Sequence, residues 1–349
     1  MKIWQIATGE PGRDYRELFF SYDIMILGPG HLGSAMGNHY TDGIPNSERS
    51  QVHNFAYRPK PGDRIIMRFA HDVIGVGQLP LHEQNQYSFE ADFRCVYGWD
   101  LRHCRRVIWA DPSTLELGEL ATVFQRAKQK PSFTQIHEKH IVDRVRSIGN
   151  EYFDRPLKEL PKKDTSVYTD ESLGVALFRA GISNKNINDI LQALQQAERL
   201  CSWYRSELCG RKPSENEIVS HIILPLFLGL GWSHQQIAIE WNRVDVAFFK
   251  TTPTIKESCV IALEAKGLGN ALTEVLEQPL RYIVHLDLSN VVYVVVTDGE
   301  NLFVYGKKED HWDSNPIGYL STRYLQKEYM LPNGLDLVDT LVKLQPNMV

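Results

Sequence analysis

Short apolar runs separated by Gly, Pro and Asn fill the first 110 residues: KIWQIAT, DIMILGP, DRIIMRFA, VIGVGQL, FRCVYGW and RRVIWA. Runs of that length between turn formers predict a β-rich segment. From Gly33 to Pro61 the chain is polar and turn-rich, which predicts a long loop, a common place for function. The period then changes. Apolar residues at Leu117, Leu120, Ala121 and Phe124, and again at Ile141, Val142, Val145 and Ile148, predict helix within 114–149. Two prolines and a charge cluster at 155–164 read as a linker that closes a first domain, 1–155.

Residues 165–210 read as a helical spacer. Asp170, Glu171 and Ser172 can cap a helix that runs to Arg179 and stops at Gly181. Asn184 or Asn186 opens a longer helix, with Ile187, Ile190, Leu191, Leu194, Ala197, Leu200 and Cys201 at helical spacing. The segment is too small to bury much alone, so it is expected to pack against a neighbour; a small DNA-contacting helical module is the alternative. A third part, 211–349, begins with Ser214-Glu-Asn-Glu217 as a helix start and Ile218, Ile222, Ile223, Leu226 and Phe227 as the buried face. IAIEW, VDVAFF, SCVIALEAK and VVYVVVT follow as strands, with a helix over 271–284 before the last. The order α-β-β-β-α-β with β-branched runs predicts a sheet covered on both faces. The fold class expected is therefore a multidomain chain, α+β at the N-terminus and α/β at the C-terminus.

Composition narrows the function classes. The chain has 349 residues, 43% hydrophobic and 23% charged, which is ordinary globular usage and excludes a coiled coil or a disordered chain. Its net charge of −5 lies wholly within 211–349, which holds 12 basic and 17 acidic residues. Binding nucleic acid by bulk charge alone is thereby excluded. Five cysteines form no CxxC pair, and His137 and His140 lack a third partner at zinc spacing. MKIWQIATGEPG lacks the apolar core of a signal peptide, and no apolar run reaches the ~18 residues of a membrane span. A reducing cytoplasm is the expected setting, without membrane contact.

The chemistry concentrates in Arg243-Val-Asp245 and Leu263-Glu264-Ala265-Lys266. Glu264 and Lys266, two apart on a strand, point to one face, and a neighbouring strand can bring Asp245 beside them. Two carboxylates and an ammonium at the end of a buried sheet are costly to desolvate. A hard divalent cation, Mg²⁺ or Mn²⁺, would relieve the repulsion. The plain alternative is a surface Glu–Lys pair, since ExK tripeptides are common. This arrangement resembles the PD-(D/E)xK nuclease superfamily, most closely the nuclease domain of type I restriction motor subunits, over about 213–306. The resemblance implies a restriction-endonuclease-like core with Asp245 and Glu264 as metal ligands and Lys266 as the catalytic ammonium. It also implies a helix glutamate, Glu215 or Glu217, with Glu215 favoured because it shares the face of Ile218, Ile222 and Leu226. Gln278-Pro-Leu-Arg-Tyr282 matches the QxxxY motif of that subgroup, which implies phosphate or metal-water contact; a buried Gln278–Tyr282 hydrogen bond would instead be structural. Asp298, in Asp-Gly, reads as a turn residue.

Residues 1–110 resemble the EVE domain of the PUA/YTH-like group. The matching pieces are Ile3-Trp-Gln-Ile-Ala7, Ile24-Met-Ile-Leu-Gly-Pro-Gly30, Pro61-Gly-Asp-Arg-Ile-Ile-Met-Arg68, Val73-Ile-Gly-Val-Gly-Gln78 and Arg105-Arg-Val-Ile-Trp109. The resemblance implies a small β-barrel that accepts an extruded, often methylated base in an aromatic pocket. Trp4, Tyr97, Trp99 and Trp109 are the aromatics available, and all four could equally be barrel core. His31 is open to either reading. Arg64, Arg68, Arg102, Arg105 and Arg106 could contact phosphates.

Together these features predict a Mg²⁺-dependent DNA endonuclease of a restriction or anti-phage system, with a base reader at the N-terminus. DNA, possibly modified, is the expected partner, and homodimerisation would let both strands be cut. The chain has no Walker A sequence, so no ATP-driven step is expected. A binding module on a nuclease fold and an RNA-directed nuclease are the alternatives.

Overall fold

The computed structural model describes residues 1–10, 13–31, 33–36, 46–70, 72–82, 87–115, 132–270, 272, 275–308, 311–331 and 334–349. The chain divides into two compact units, Met1–Lys162 and Lys163–Val349. Both mix helices with sheets. No helix among the described residues is long and apolar enough to cross a membrane.

The first unit contains β1 (Ile3–Ala7), α1 (Arg16–Tyr22), β2 (Ile24–Leu27), α2 (Asn46–Tyr57), β3 (Arg64–Phe69) and β4 (Asp72–Gln78). It continues through β5 (Tyr87–Phe89), β6 (His103–Arg106), β7 (Ile108–Trp109), β8 (Phe133–Ile136) and α3 (Lys139–Arg146). One sheet has the order β8-β1-β3-β4-β7, with β1 and β3 parallel and the other pairs antiparallel. A second, three-stranded sheet has the order β2-β6-β5. Neither sheet closes into a barrel among the described residues. The β-rich expectation for 1–110 meets two helical exceptions, α1 and, within the polar stretch 33–61, α2. Among the described side chains of α2 only Val52, Phe55 and Ala56 are buried, too thin a signal to stand out among the polar residues around them. Ile141 and Val145 are the buried face of α3, whereas Leu117, Leu120, Ala121 and Phe124 lie outside the described residues.

The second unit opens with α4 (Asp170–Arg179) and α5 (Asn184–Arg205). Their caps are Thr169, in a capping box with Ser172, and Ser183, each one residue before the expected start. These helices are not a separate spacer. Ile187, Ile190, Ala193, Leu194, Ala197, Cys201 and Tyr204 bury one face of α5 within this unit. A 22-residue helix with such a stripe is marginal alone and gains its stability by covering it. Gly229 permits the contact: a Cβ there would lie 3.0 Å from the backbone of Asp189 and Ile190.

A helical run over 215–229, α6, follows; its middle turn, Val219–Ile223, is a π turn just ahead of Pro225. Then come β9 (Ile237–Trp241), β10 (Val244–Phe249), β11 (Cys259–Ala265), α7 (Glu277–His285), β12 (Tyr293–Thr297) and β13 (Asn301–Lys308). The strands form one sheet in chain order, extended at β13 by β14 (His311–Trp312) and β15 (Gly318–Ser321). The β11–β12 pair is parallel, bridged by α7, and the others are antiparallel. The α-β-β-β-α-β order read from the apolar runs is the order observed. β11 is buried along its whole length, as a strand covered on both faces must be. Phe227 of α6 stacks on Phe248 of β10, ring centroids 4.2 Å apart, and Trp232 packs edge-on against the same ring. Helix α8 (Leu337–Lys343) ends the unit.

The charged segment 155–164 is not an exposed linker throughout. Arg155 grips the wholly buried Asp23 carboxylate with both terminal nitrogens, and the Lys158 amide donates to the same carboxylate at 2.9 Å. On the other side, Lys163 Nζ donates to the Tyr329 carbonyl, and Val167 bridges to Gln326. The join between the units narrows to the few residues around 159–162.

Candidate active site

The register of β10 on β11 pairs Val246 with Leu263, so the next step sets Asp245 opposite Glu264. Residues opposite one another on an antiparallel pair point to the same face. Asp245 is tied down as well: its Oδ2 accepts the Ala265 amide at 2.7 Å. Lys266, just past the end of β11, has its amide held by the Thr297 carbonyl at 2.8 Å. Its Nζ reaches back to Glu264 Oε1 at 2.6 Å.

Helix α7 supplies the next layer. Gln278 Nε2 donates to the same Glu264 Oε1, and its Oε1 accepts from Lys266 Nζ at 3.3 Å. Gln278 also donates to the Tyr282 hydroxyl at 3.2 Å. The Gln–Tyr bond foreseen as the structural alternative is present, on a side chain that also touches the Glu264–Lys266 pair. Asp298 is a turn organiser, since its carboxylate accepts the amides of Gly269, Glu300 and Asn301. Gly299 beside it has φ +86°, and a Cβ there would meet Ile218 and Ile222 of α6 at 3.0 and 3.1 Å. That close approach seats the first turns of α6 beside the β12–β13 turn.

Of the two helix glutamates, Glu217 is occupied as a cap. It accepts the Ser214 amide and pairs with Arg211, which holds its carboxyl down at about 2. Glu215 is the one whose charge is felt at Asp245, Glu264 and Lys266. Glu240 acts on Asp245 in the same way, from the opposite neighbour strand, where the pairing of Ile239 with Val246 sets it across from Asp245. Sequence reasoning missed Glu240. Alternating with Ile239 and Trp241, it reads as the wet side of an edge strand, and only the register shows its neighbour.

Electrostatics at the site follow from burial. Glu264 is 1% exposed, and burial pushes its carboxyl up to about 7 against the pull of Lys266. Asp245 is also raised, first by burial and then by Glu215 and Glu240, while the Ala265 amide and Lys266 oppose the shift. Burial works against the Lys266 ammonium, but its bond to Glu264 and the fields of Glu215 and Asp245 outweigh it and raise its pKa. Lys266 is therefore a firmly charged donor. Glu264 Oε2 is buried with no hydrogen-bond partner among the described residues. A desolvated carboxylate oxygen without a donor is costly in a neutral environment and suits a cation.

Among the described residues no three His, Cys, Asp or Glu side chains converge as a metal-ligating group. Glu215 thus adds charge near the pair without completing a ligand trio. A pair of carboxylates still fits Mg²⁺, which is commonly held by one or two carboxylates, with waters and substrate phosphate oxygens making up the octahedron. Asp245 and Glu264 are the residues that would hold it. An open groove of about 860 Å³, lined by Ser233, Gln236, Lys250 and Thr251 among others, lies at the far end of β10 from Asp245.

The residues expected to read a base in the first unit divide sharply. Trp4 and Trp109 are core: Trp4 is 1% exposed, donates to Asp63 and stacks on Phe133, and Trp109 donates to the Ile24 carbonyl. Arg105 is buried and spends its guanidinium on the Phe55 and Ala56 carbonyls at the end of α2, so it does not reach a phosphate. Arg64 does the same for the Val145 carbonyl in the last turn of α3 and the Ile148 carbonyl just after it. Arg102 pairs with Asp100, Arg106 donates to the Tyr22 carbonyl, and Arg68 donates to the Ala70 carbonyl. The arginines largely satisfy carbonyls that the fold leaves over, which composition cannot reveal. Tyr97 packs on Tyr15 at 6.2 Å with φ 49°, and burial raises its hydroxyl pKa. Trp99 is the one aromatic of the four that stands out, 44% exposed at the end of the Val96–Trp99 turn. His31 is exposed.

No protein-family model matches the chain, and no curated protein is significantly similar to it.

Proposed function

We propose that the chain is a divalent-cation-dependent endonuclease that hydrolyses phosphodiester bonds in DNA. In this reading the unit 163–349 is a restriction-endonuclease-like core, and the unit 1–162 is a PUA/EVE-like module that selects the DNA, modified or foreign. The observation that carries the proposal is the opposed pair Asp245 and Glu264, with one Glu264 oxygen bound to Lys266 and the other buried and bare. Mg²⁺ or Mn²⁺ bound by that pair would polarise the phosphate and make a coordinated water more acidic.

The residues around the pair divide the remaining work. Water attacks phosphorus in line and gives up a proton to solvent, the P–O bond to the leaving sugar oxygen breaks with that oxygen taking a proton from solvent, and negative charge grows on the non-bridging oxygens. Lys266, held as an ammonium, is placed to meet that charge, which favours electrostatic stabilisation over removal of the water's proton. Gln278 fixes the Glu264 carboxylate and the Lys266 ammonium in one orientation, and Tyr282 fixes Gln278. In the selecting module the exposed Trp99 would stack on an extruded base.

The test is incubation of the full chain and Asp245→Asn with plain duplex, methylated duplex and tRNA in Mg²⁺. DNA cut by the unaltered chain alone supports the proposal. RNA cut in preference redirects it to an RNA nuclease, and binding without cutting of any substrate leaves a binding module on this fold.

A further inference from the structure

The β9–β10 hairpin turns through two residues, Asn242 and Arg243, between the paired Trp241 and Val244. Both lie in the left-handed region, with φ 49° and 77°, the φ pattern of a type I′ turn. Such turns favour Asn followed by Gly, because a side chain at the second position meets its own backbone. Asn242 obeys that rule and Arg243 breaks it. Glu240, just before the turn, also has φ 52°. Arg243 is exposed and makes no hydrogen bond or ion pair with the described residues. Nothing in the folded unit accounts for an arginine where glycine would relax the backbone, and strained positions held without local compensation gather at functional sites.

Its position supplies the reason. One residue separates Arg243 from Asp245, at the end of the sheet where the charges of Glu215, Glu240 and Glu264 meet. Lys266 is already engaged by Glu264. A polyanion approaching four carboxylates is repelled unless a cation meets it at the rim. A guanidinium binds phosphate through a planar fork of donors, a geometry that an ammonium lacks. We propose that Arg243 is a substrate-binding residue that clamps a backbone phosphate of the nucleic acid beside the Asp245–Glu264 pair. This rests on the nuclease reading above.

The experiment uses the full chain carrying Asp245→Asn, with and without Arg243→Gly, and a 30-base-pair duplex as probe. Affinity is measured across a salt series, and melting temperature is measured on the same samples. Arg243→Gly should leave the melting temperature unchanged or higher, because glycine suits the turn. It should weaken duplex binding about tenfold and reduce the slope of log K against log salt by about one unit, the loss of one phosphate contact. Arg243→Lys should recover the slope, and Arg243→Asn, which tolerates the same φ, should behave like the glycine variant. In the otherwise unaltered chain Arg243→Gly should raise KM more than it lowers kcat. An unchanged slope and KM, or a lower melting temperature for Arg243→Gly, overturns the assignment. If the unaltered chain cuts no duplex in Mg²⁺, the nuclease reading falls while the slope comparison still decides Arg243. Duplex binding with no salt dependence removes both.

Discussion

Asp245 and Glu264 face each other across the β10–β11 pair, and the Ala265 amide fastens Asp245 to the strand that carries Glu264. The two carboxylates are thus set by main-chain pairing rather than by flexible loops, so their separation is fixed before any ligand arrives.

Removing any of the three charged groups should stop chemistry while leaving the fold. Asp245→Asn, Glu264→Gln and Lys266→Met should each lower cleavage by roughly a thousandfold or more with duplex affinity nearly retained. Mg²⁺ or Mn²⁺ should be required, and Ca²⁺ should support binding with little turnover because its coordination is looser. Single-turnover cleavage assays with each ion check this; full activity in EDTA, or in all three variants, would remove the assignment.

The same Glu264 should cost stability in the metal-free protein. Its folded carboxyl titrates at about 7, above the ordinary 4.5. Between those values the folded state holds a proton that the unfolded state has lost, so stability is greatest below 4.5 and falls as pH rises to 7. Glu264→Gln keeps the shape and removes the charge. It should be more stable than the unaltered chain at pH 8 in EDTA, by about 3 kcal/mol, and match it near pH 4.5. Melting curves across pH decide the point, and equal curves at pH 8 would contradict it.

Much of this site is legible in the sequence because it is written in strand spacing. VDVAFF and CVIALEA each alternate or run apolar long enough to fix two strands, and an ExK triplet on a strand can only point its ends to one face. What the spacing does not carry is pairing. Glu240 becomes a neighbour of Asp245 through register, and α2 is hidden because three apolar residues suffice for a helix whose last carbonyls an arginine caps. Trp4 and Trp109 illustrate the converse. A tryptophan in a β-rich segment reads alike as stacking platform or core until its indole N–H is seen to donate to Asp63 or to the Ile24 carbonyl.

Arg105 should therefore behave as a structural residue. Its removal leaves the Phe55 and Ala56 carbonyls buried without donors. Arg105→Ala should destabilise the first unit by about 3 kcal/mol. Duplex affinity, compared at equal folded fraction, should not change. A variant that melts normally but binds DNA weakly would restore Arg105 as a phosphate contact.

His103 makes the first unit acid-sensitive. It is fully buried between the Tyr87 hydroxyl and the Pro29 carbonyl, and burial lowers its pKa to about 4. The unfolded imidazole protonates near 6.5, so the contribution is complete above that pH and is lost as pH falls through 4. The loss amounts to about 3 kcal/mol. His103→Gln should flatten the dependence of melting temperature on pH between 6.5 and 4; an unchanged dependence would assign it to other groups.

The last prediction concerns where the chain can be divided. Asp23 has φ 51° and a side chain with no exposed surface, and its carboxylate is met by both terminal nitrogens of Arg155 and by the Lys158 amide. A buried carboxylate that loses such a partner is left as an uncompensated charge, which costs about 3–5 kcal/mol. That is a large share of the stability of a domain this size. Residues 1–162 should therefore fold alone, whereas 1–154 should not, although the two differ only by a short charged tail. Arg155→Met in the 1–162 fragment should lie between them, with a melting temperature well below that of the parent fragment. Asp23→Asn combined with Arg155→Met should recover part of the loss, because the buried group is then neutral. Thermal melts of the four fragments, followed by circular dichroism, test this. Cooperative folding of 1–154 at the temperature of 1–162 would show that the Asp23–Arg155 pair does not hold the unit together.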